Sequence, residues 1–321
     1  MEEKFLCTRV NSTTFVIVED DEYAEHPFIY ARIYESLVVL SDTGCGSSAD
    51  APEHSQSTLR NFIEASPIVA NGGRPLNPRQ ENGKPSKKYL IICTHCHYDH
   101  ILGVSQFIDS DPIILASLHG KSFVTKNLPE HSLCLFLGVP TPKYTVSYWA
   151  KDYERLSFNT TSLGLQIIAT PGHTPDELAW YDEQERHLYV GDSFYQRTPE
   201  DKSYEQAIIF PKEGSVIEYM DSLRKLSSFV DKKNMELDKP SVKIGCGHTT
   251  SSVEGKGILL AVQRFFEDVI AGIVPIKHIS DKRGEEVCLW QDDGEPRFSL
   301  SAPKRLVEDA KKQCNVVLPV E

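Results

Sequence analysis

The sequence predicts an α/β protein in which a β-sandwich core carries helices on its outer side. Short apolar stretches typical of strands alternate with amphipathic stretches typical of helices. Clusters of histidine and aspartate follow directly after predicted strands. In layered α/β folds, functional sites form at the carboxyl ends of the strands. The chain has 321 residues, of which 40% are hydrophobic and 25% charged. This length and composition suffice for a sizeable hydrophobic core.

The N-terminal part, residues 13–41, is predicted to be a run of consecutive strands. Its three apolar stretches are bounded by polar turns, a pattern typical of antiparallel strands at the edge of a sheet. These stretches are 14–18, 28–34 and 37–40. The third runs into residues 41–46, where two glycines permit a sharp turn.

An irregular insertion is predicted at about 47–88, because Gly and Pro interrupt every long element there. Only 57–65 has helical spacing, and the insertion is a candidate for part of a substrate rim. The stretch 130–160 shows no clear periodicity. The insertion and 130–160 are therefore the parts of the chain for which the sequence predicts least.

The rest of the chain alternates between the two kinds of element. Strands are predicted at 89–93, 113–116, 165–169 and 242–246, and a hairpin at 177–181 and 187–190. Helices are predicted after residue 100 through 108, near 117–127, and at 215–231, 256–272 and 303–314. We expect a single domain over 1–321.

Charge and composition exclude several classes of partner. The net charge is -12, with 46 acidic and 34 basic residues, and the basic clusters are short. A nucleic-acid binder usually carries a stripe of basic residues, so we expect no binding to nucleic acid. An acidic protein also gives no reason to expect binding to an anionic membrane surface. No apolar run reaches the roughly 18 residues that span a bilayer. The sequence predicts a cytoplasmic protein with a small-molecule substrate and leaves its oligomeric state open.

The eight cysteines are scattered through the chain, which does not resemble a disulfide scaffold. Cys93 and Cys96 have CxxC spacing, which suits a redox pair or half of a zinc site. No second CxxC exists, and both residues lie within a stronger histidine motif. We therefore expect free thiols.

That motif, residues 95–100, places four candidate metal ligands within six residues. His95 and His97 are two apart, so that on an extended stretch they project to the same side. Asp99 and His100 follow where the chain turns toward a helix. Imidazole and carboxylate groups suit zinc and related divalent ions. One short loop can thus direct ligands to one metal or to two.

Three later residues complete the pattern. His173, Asp192 and His248 each follow a predicted strand, in the contexts Pro-Gly-His, Val-Gly-Asp and Cys-Gly-His. Each residue alone is weak evidence for a metal site, since a lone polar residue beside a glycine is usually part of a loop. Together, and at strand ends, they indicate a catalytic metal centre.

At these residues the chain resembles the metallo-β-lactamase superfamily, over about residues 10–250. The family pattern is His-x-His-x-Asp-His, then Gly-His, Asp and His, and this sequence matches all seven ligand positions. Asp42 matches a structural aspartate common in the family. The resemblance implies the α/β fold of that family, an αββα sandwich of two mixed β-sheets with helices on the outer faces. The part at about 250–321 is then family-variable.

The same resemblance implies two divalent metal ions, with zinc expected. His95, His97 and His173 would hold the first, Asp99, His100 and His248 the second, and Asp192 would bridge them. In such a site a metal-bound hydroxide attacks a carbonyl and the metals stabilise the oxyanion that forms. Asp99 could shuttle the proton to the leaving group.

Tyr195 stands three residues after Asp192, a spacing that also occurs in the acyl-homoserine lactonase branch of the family. There the tyrosine hydroxyl helps to polarise the carbonyl. Residues 172–175 match that branch, whereas Asp176 and Glu177 replace its Gly-His. A core or rim tyrosine is the alternative interpretation.

The resemblance favours a hydrolase that opens a cyclic ester or cyclic amide: a lactone, a lactam, or a benzoxazolinone-type ring of the kind that fungal members detoxify. One alternative is a glyoxalase II-like thioesterase, for which Lys304, Arg305, Lys311 and Lys312 are available to bind carboxylates. A more distant alternative is a mononuclear iron persulfide dioxygenase. A binding module with a dead site is disfavoured, because the sequence lacks none of the seven ligands.

Overall fold

The computed structural model describes residues 4–46, 58–196, 207–293 and 297–317, of which 314–317 are described by their backbone alone. The chain divides into two compact units, Met1–Glu154 and Arg155–Glu321. Each unit contains at least one sheet, helices and a hydrophobic core of its own. The expectation of a single domain stays a prediction.

The first unit is built on a seven-stranded sheet whose strands follow one another in chain order. The first four strands pair antiparallel and the last four pair parallel. The strands are β1 (Phe5–Arg9), β2 (Thr14–Glu19), β3 (Phe28–Ile33), β4 (Leu37–Ser41), β5 (Lys88–Ile92), β6 (Ile113–Ser117) and β7 (Tyr148–Ala150). The antiparallel strands predicted within 13–41 are thus confirmed, and β1 is an additional edge strand.

Short helices connect the parallel strands of this unit. They are α1 (Leu59–Ala65), α2 (Tyr98–Ile101), α3 (Lys121–Lys126), α4 (Leu128–His131) and α5 (Cys134–Leu137), with 3-10 segments at Val69–Asn71 and Leu102–Ser110. The helix expected after residue 100 through 108 is therefore a 3-10 helix, which directly follows the single α-helical turn of α2. Within it a Cβ atom at Gly103 would overlap the backbone of Thr43. Of the predicted insertion, 47–57 lies outside the described residues.

The second unit contains two sheets. The six-stranded sheet has the order β14-β13-β11-β10-β9-β8 and the four-stranded sheet β12-β17-β16-β15. The strands are β8 (Arg155–Phe158), β9 (Thr161–Ala169), β10 (Leu178–Asp182), β11 (His187–Tyr189), β12 (Ile208–Ile209), β13 (Lys243–Gly245), β14 (Val253–Glu254), β15 (Ile276–Lys282), β16 (Glu285–Gln291) and β17 (Ser299–Pro303). The hairpin of β10 and β11 confirms the prediction.

Sequence analysis did not predict the four-stranded sheet. In β15 five of the seven residues carry a polar or charged side chain, and most are exposed. A strand without an apolar alternation carries no periodic signal. Only pairing with β16, which the structure shows, identifies it as a strand.

Three long helices complete this unit: α6 (Val216–Asn234), α7 (Gly255–Ala271) and α8 (Lys304–Val317). All three confirm the predicted helices. The side chain of Ser215 caps α6 by accepting a hydrogen bond from the Glu218 amide. Their apolar faces pack into one core with the sheets, around residues such as Leu223, Ile244 and Phe266. Among the described residues no helix combines the length and apolar character that crossing a bilayer requires.

Candidate metal centre

The histidine motif lies at the carboxyl end of β5, between that strand and α2. Its four candidate ligands are all at most 6% exposed. His95 Nε2 lies 3.0 Å from His97 Nδ1, and His100 Nε2 lies 3.1 Å from Asp99 Oδ2. The structure thus brings the four ligands of the first unit together as two adjacent donor pairs.

Asp42 anchors this motif from the neighbouring strand end. It follows β4, the parallel neighbour of β5, and turns sharply with a φ of 64°. Its carboxylate accepts hydrogen bonds from the Thr94 amide (2.8 Å), the Thr94 hydroxyl (2.8 Å) and His100 Nδ1 (2.9 Å). Burial raises the pKa of the Asp42 carboxyl, while His100 and Thr94 oppose the rise. Because Asp42 engages Nδ1, Nε2 of His100 is the nitrogen that can bind a metal.

The three candidate ligands of the second unit also stand at strand ends. His173 follows β9, Asp192 follows β11 and His248 follows β13, strands that lie close together in the six-stranded sheet. Asp192 Oδ2 lies 3.5 Å from His248 Nε2 and 4.0 Å from His173 Nε2. His173 Nδ1 donates a 2.6 Å hydrogen bond to the Ile209 carbonyl. This bond directs Nε2 of His173 toward the carboxylate.

The donor chemistry in both units fits divalent metal ions. Ligand atoms bound about 2.0–2.2 Å from one zinc ion stand about 3 to 4 Å from each other. All four measured donor pairs, at 3.0, 3.1, 3.5 and 4.0 Å, fall in that range. The donors are imidazoles and carboxylates, and two of the imidazoles are oriented through their other nitrogen.

Tyr195 lies with the ligands of the second unit. Its ring is 5.1 Å from that of His248, at 88°, and the residue is 5% exposed. The structure therefore places the hydroxyl-bearing ring of Tyr195 against a candidate ligand. Its proposed action on a carbonyl stays a prediction.

The cysteines near the candidate ligands are buried and free. Cys93 and Cys96 are 3% and 2% exposed and form no disulfide. In the second unit burial raises the pKa of the Cys246 thiol, and the charges of Asp192 and Glu177 raise it further. A neutral thiol is a poor metal ligand. The side chain of Cys314 lies outside the described residues.

Sequence analysis missed several residues that support the ligands. Thr94, inside the motif region, fixes Asp42 through two hydrogen bonds. Tyr98 donates its hydroxyl to Glu25, and burial raises the pKa of Tyr98. Tyr219 donates its hydroxyl to the Ser193 carbonyl, next to Asp192. A threonine after a strand or a tyrosine on a helix is common in any core, so no sequence signal distinguishes them.

Comparisons with known proteins identify a family and several relatives that this chain resembles. The model of the metallo-beta-lactamase superfamily matches residues 29–248. A protein of Aspergillus versicolor named as a proposed transcription factor, avaE, is 30% identical over 317 residues, covering 96% of this chain and 88% of that protein. The hydroxyacylglutathione hydrolase of Psychromonas ingrahamii is 30% identical over 106 residues, 33% of this chain and 32% of that protein.

Solved structures show the same fold. A metallo-beta-lactamase family protein of Thermus thermophilus aligns with a TM-score of 0.54 at 17% identity. The alignment covers 84% of each chain. At this identity the likeness concerns the fold alone, and it confirms the α/β class with mixed sheets and helices that the sequence predicts.

Proposed function

Because the chain belongs to the metallo-β-lactamase superfamily, we propose that it is a metal-dependent hydrolase that opens a cyclic ester or cyclic amide. The donor geometry carries this proposal: in each unit, buried imidazole and carboxylate atoms stand 3.0 to 4.0 Å apart. That spacing suits atoms that share a metal ion. A site built only for stability would not need so many polar groups in its interior.

The proposed centre holds two divalent ions, and zinc suits the donor set. The first ion would be held by His95, His97 and His173, and the second by Asp99, His100 and His248. Asp192 would contribute to both, in keeping with its position between His173 and His248. When bound, the two ions would lower the pKa of a water molecule and polarise the substrate carbonyl.

The chain's own residues supply orientation and proton transfer. Asp42 and Ile209 fix the ring orientations of His100 and His173. The Asp99 carboxylate would take a proton and pass it to the leaving oxygen or nitrogen. The Tyr195 hydroxyl would donate a hydrogen bond to the carbonyl oxygen as negative charge develops there. Burial of the Asp42, Asp99, His100, His173 and Tyr195 side chains excludes bulk water and strengthens their interactions.

The substrate of this proposal is a small molecule with a strained or activated ring carbonyl. A lactone, a lactam or a benzoxazolinone-type ring would present the same carbonyl to Tyr195 and the metals. The leaving group is oxygen in a lactone and nitrogen in a lactam, whereas a benzoxazolinone carbonyl carries both a ring oxygen and a ring nitrogen. We place the enzyme in the cytoplasm and propose detoxification of such a ring compound as its role.

A glyoxalase II-like thioesterase is the second candidate, supported by the partial match to the Psychromonas hydrolase. It would require free cations to bind the carboxylates of a glutathione conjugate. Three of the predicted cations are engaged in ion pairs: Lys304 with Glu286 (2.8 Å), Arg305 with Glu285 (3.0 Å) and Lys312 with Asp309 (3.0 Å). Ion pairs between exposed side chains are weak, so the substrate panel described below decides between the two candidates.

The name of the Aspergillus relative refers to transcription, and we do not extend that role to this chain. A protein that binds duplex DNA gains affinity by neutralising phosphates with Lys and Arg. This chain has a net charge of -12, with more acidic than basic residues, which disfavours binding to DNA phosphates. The buried metal ligands support an enzyme.

The proposal is tested by a hydrolysis screen at constant pH, with the metal content of the purified protein measured in parallel. The panel contains lactones, lactams, benzoxazolinone and glutathione thioesters. We expect ring opening that a chelator abolishes and zinc restores. Turnover of the thioester alone would support the second candidate, and one iron per chain without ring opening would favour the dioxygenase.

Matched histidine variants show whether the activity comes from the proposed centre. His173→Ala removes a ligand and should lower kcat/KM by at least about a thousandfold. His119→Ala changes an exposed histidine outside the ligand set and should retain wild-type activity. If His173→Ala retained near wild-type turnover, the metal-centre proposal would be wrong.

A further inference from the structure

One face of α6 holds the backbone that carries His173. Ser215, Tyr219, Ser222 and Lys225 are spaced four, three and three residues apart, which aligns them along one side of a helix. The Ser215 amide donates to the Gly172 carbonyl (2.7 Å), the Ser222 hydroxyl to the Pro171 carbonyl (2.7 Å) and the Lys225 ammonium to the Ala169 carbonyl (2.7 Å). The approach to His173 is therefore fixed at three successive points.

Gly172 permits an unusually close contact with this face. A Cβ atom at Gly172 would lie 2.5 Å from Tyr219 Cβ and 2.7 Å from Tyr219 N, which no side chain tolerates. The absence of a side chain lets the loop rest directly on the backbone of Tyr219. The position of His173 is thus coupled to that of Tyr219.

The side chain of Tyr219 reaches the other ligand loop. Its hydroxyl donates to the carbonyl of Ser193, the residue that follows Asp192. The ring is 1% exposed and packs 4.5 Å from Phe266 and 5.1 Å from Phe210. Phe210 in turn packs against His173, with ring centroids 6.0 Å apart. One buried residue therefore contacts the supports of both His173 and Asp192.

We propose that Tyr219 is a positioning residue that sets the separation of His173 and Asp192 by bridging Gly172 and Ser193. This inference rests on the proposed function, in which both residues are metal ligands. A ligand pair held 4.0 Å apart in advance binds an ion without reorganising its loops. Loss of the bridge leaves the ligands present but less well placed.

The test compares Tyr219→Phe with Tyr181→Phe in the full chain. Both variants delete one hydroxyl from a fully buried ring of the second unit. The Tyr181 hydroxyl has no hydrogen-bond partner among the described residues, so its removal controls for packing. Zinc affinity is measured by competition with a chromogenic chelator. Visible spectra of the cobalt-loaded proteins report the ligand geometry.

We expect Tyr219→Phe to weaken zinc binding about tenfold and to change the cobalt spectrum, and Tyr181→Phe to change neither. Wild-type affinity together with an unchanged spectrum in Tyr219→Phe would overturn the proposal. Should Tyr219→Phe unfold without metal, it is purified with cobalt bound, and the visible spectrum is compared with that of the cobalt-loaded wild type. A spectrum identical to that of the wild type would then overturn the proposal. Failure of the wild-type chain to bind zinc would refute the proposed function itself, and this inference with it.

Discussion

Glu19 is a carboxylate buried at the end of β2, beneath the turn that carries Asp42. Its side chain is 0% exposed, accepts a 2.8 Å hydrogen bond from the Cys45 amide and lies 3.5 Å from the Lys4 ammonium. Burial raises the pKa of Glu19 to about 8, although Lys4 opposes the rise. Gly44 accommodates this carboxylate, because a Cβ atom there would overlap it.

Glu19 should make the protein less stable as the pH rises. The unfolded chain has a Glu pKa of about 4.5, and the folded chain about 8. Between those values the folded state holds a proton that the unfolded state releases, so stability falls through this window. Glu19→Gln stays neutral and can still accept from Cys45. We therefore expect this variant to be more stable than the wild type at pH 8 and similar at pH 4.5.

Urea unfolding at the two pH values measures the effect. Glu35→Gln is the control, since Glu35 is exposed. An equal change of unfolding free energy with pH in wild type, control and Glu19→Gln would contradict the prediction.

At the residue scale the sequence indicates the candidate ligands but not the residues that support them. His95, His97 and Asp99 form a pattern of rare residue types that few structures need for packing. Glu19 and Tyr219, by contrast, occupy ordinary positions at the end of a strand and within an amphipathic helix. Their importance comes from contacts that are distant in sequence, which periodicity does not encode.

At the scale of elements, a buried carboxylate ties α1 to the rest of the first unit. Glu64 accepts hydrogen bonds from Arg60 Nε (2.9 Å), Arg79 Nε (2.7 Å) and the Tyr89 hydroxyl (3.1 Å). Tyr89 lies in β5, the strand that leads to the histidine motif. Glu64 thus joins the described part of the insertion to β5 of the central sheet.

Glu64→Gln should destabilise the chain by about 2 kcal/mol. The variant keeps the size of the side chain but leaves Arg60 and Arg79 without their buried anion. Because both arginines are partly exposed to water, the loss of unfolding free energy is limited. Glu81→Gln, on an exposed turn, is the control. The urea concentration at the midpoint of unfolding is measured at pH 7. Equal midpoints for Glu64→Gln and Glu81→Gln would contradict the prediction.

Elements with a clear hydrophobic periodicity were predicted from the sequence. Elements that depend on hydrogen bonds to a neighbouring strand were not. The long helices α6 and α7 alternate apolar and polar faces, so their bounds differ from the prediction by three residues or fewer. In contrast β1, β7 and β15 have short or polar sequences. They become strands because a neighbouring strand offers hydrogen bonds.

At the scale of the whole molecule, metal binding should stabilise the folded chain. A ligand that binds only the folded state adds about 2.7 kcal/mol at a concentration a hundred times its Kd. For a chain of this size that corresponds to a rise in Tm of several degrees. Calorimetry with zinc and with chelator measures it, and His173→Ala should lose most of the shift. An unchanged Tm would contradict the proposed centre.

The family resemblance predicted at about 10–250 is confirmed by the match over 29–248. It depends on seven candidate ligand positions in a fixed order, and these can be recognised without knowing the fold. The C-terminal part, about 250–321, has no such positions. Its sheet became visible only in the structure.

That C-terminal sheet has a consequence for how the protein is made. β12 pairs in parallel with β17, and the Ile209 carbonyl that orients His173 lies in β12. The first unit can form its sheet strand by strand as the chain leaves the ribosome, because its strands pair in chain order. The support of His173 must wait for residues 299–303 to be synthesised. A nascent or truncated chain that ends before them would carry all seven candidate ligands in its sequence and still lack the partner strand of the segment that orients His173.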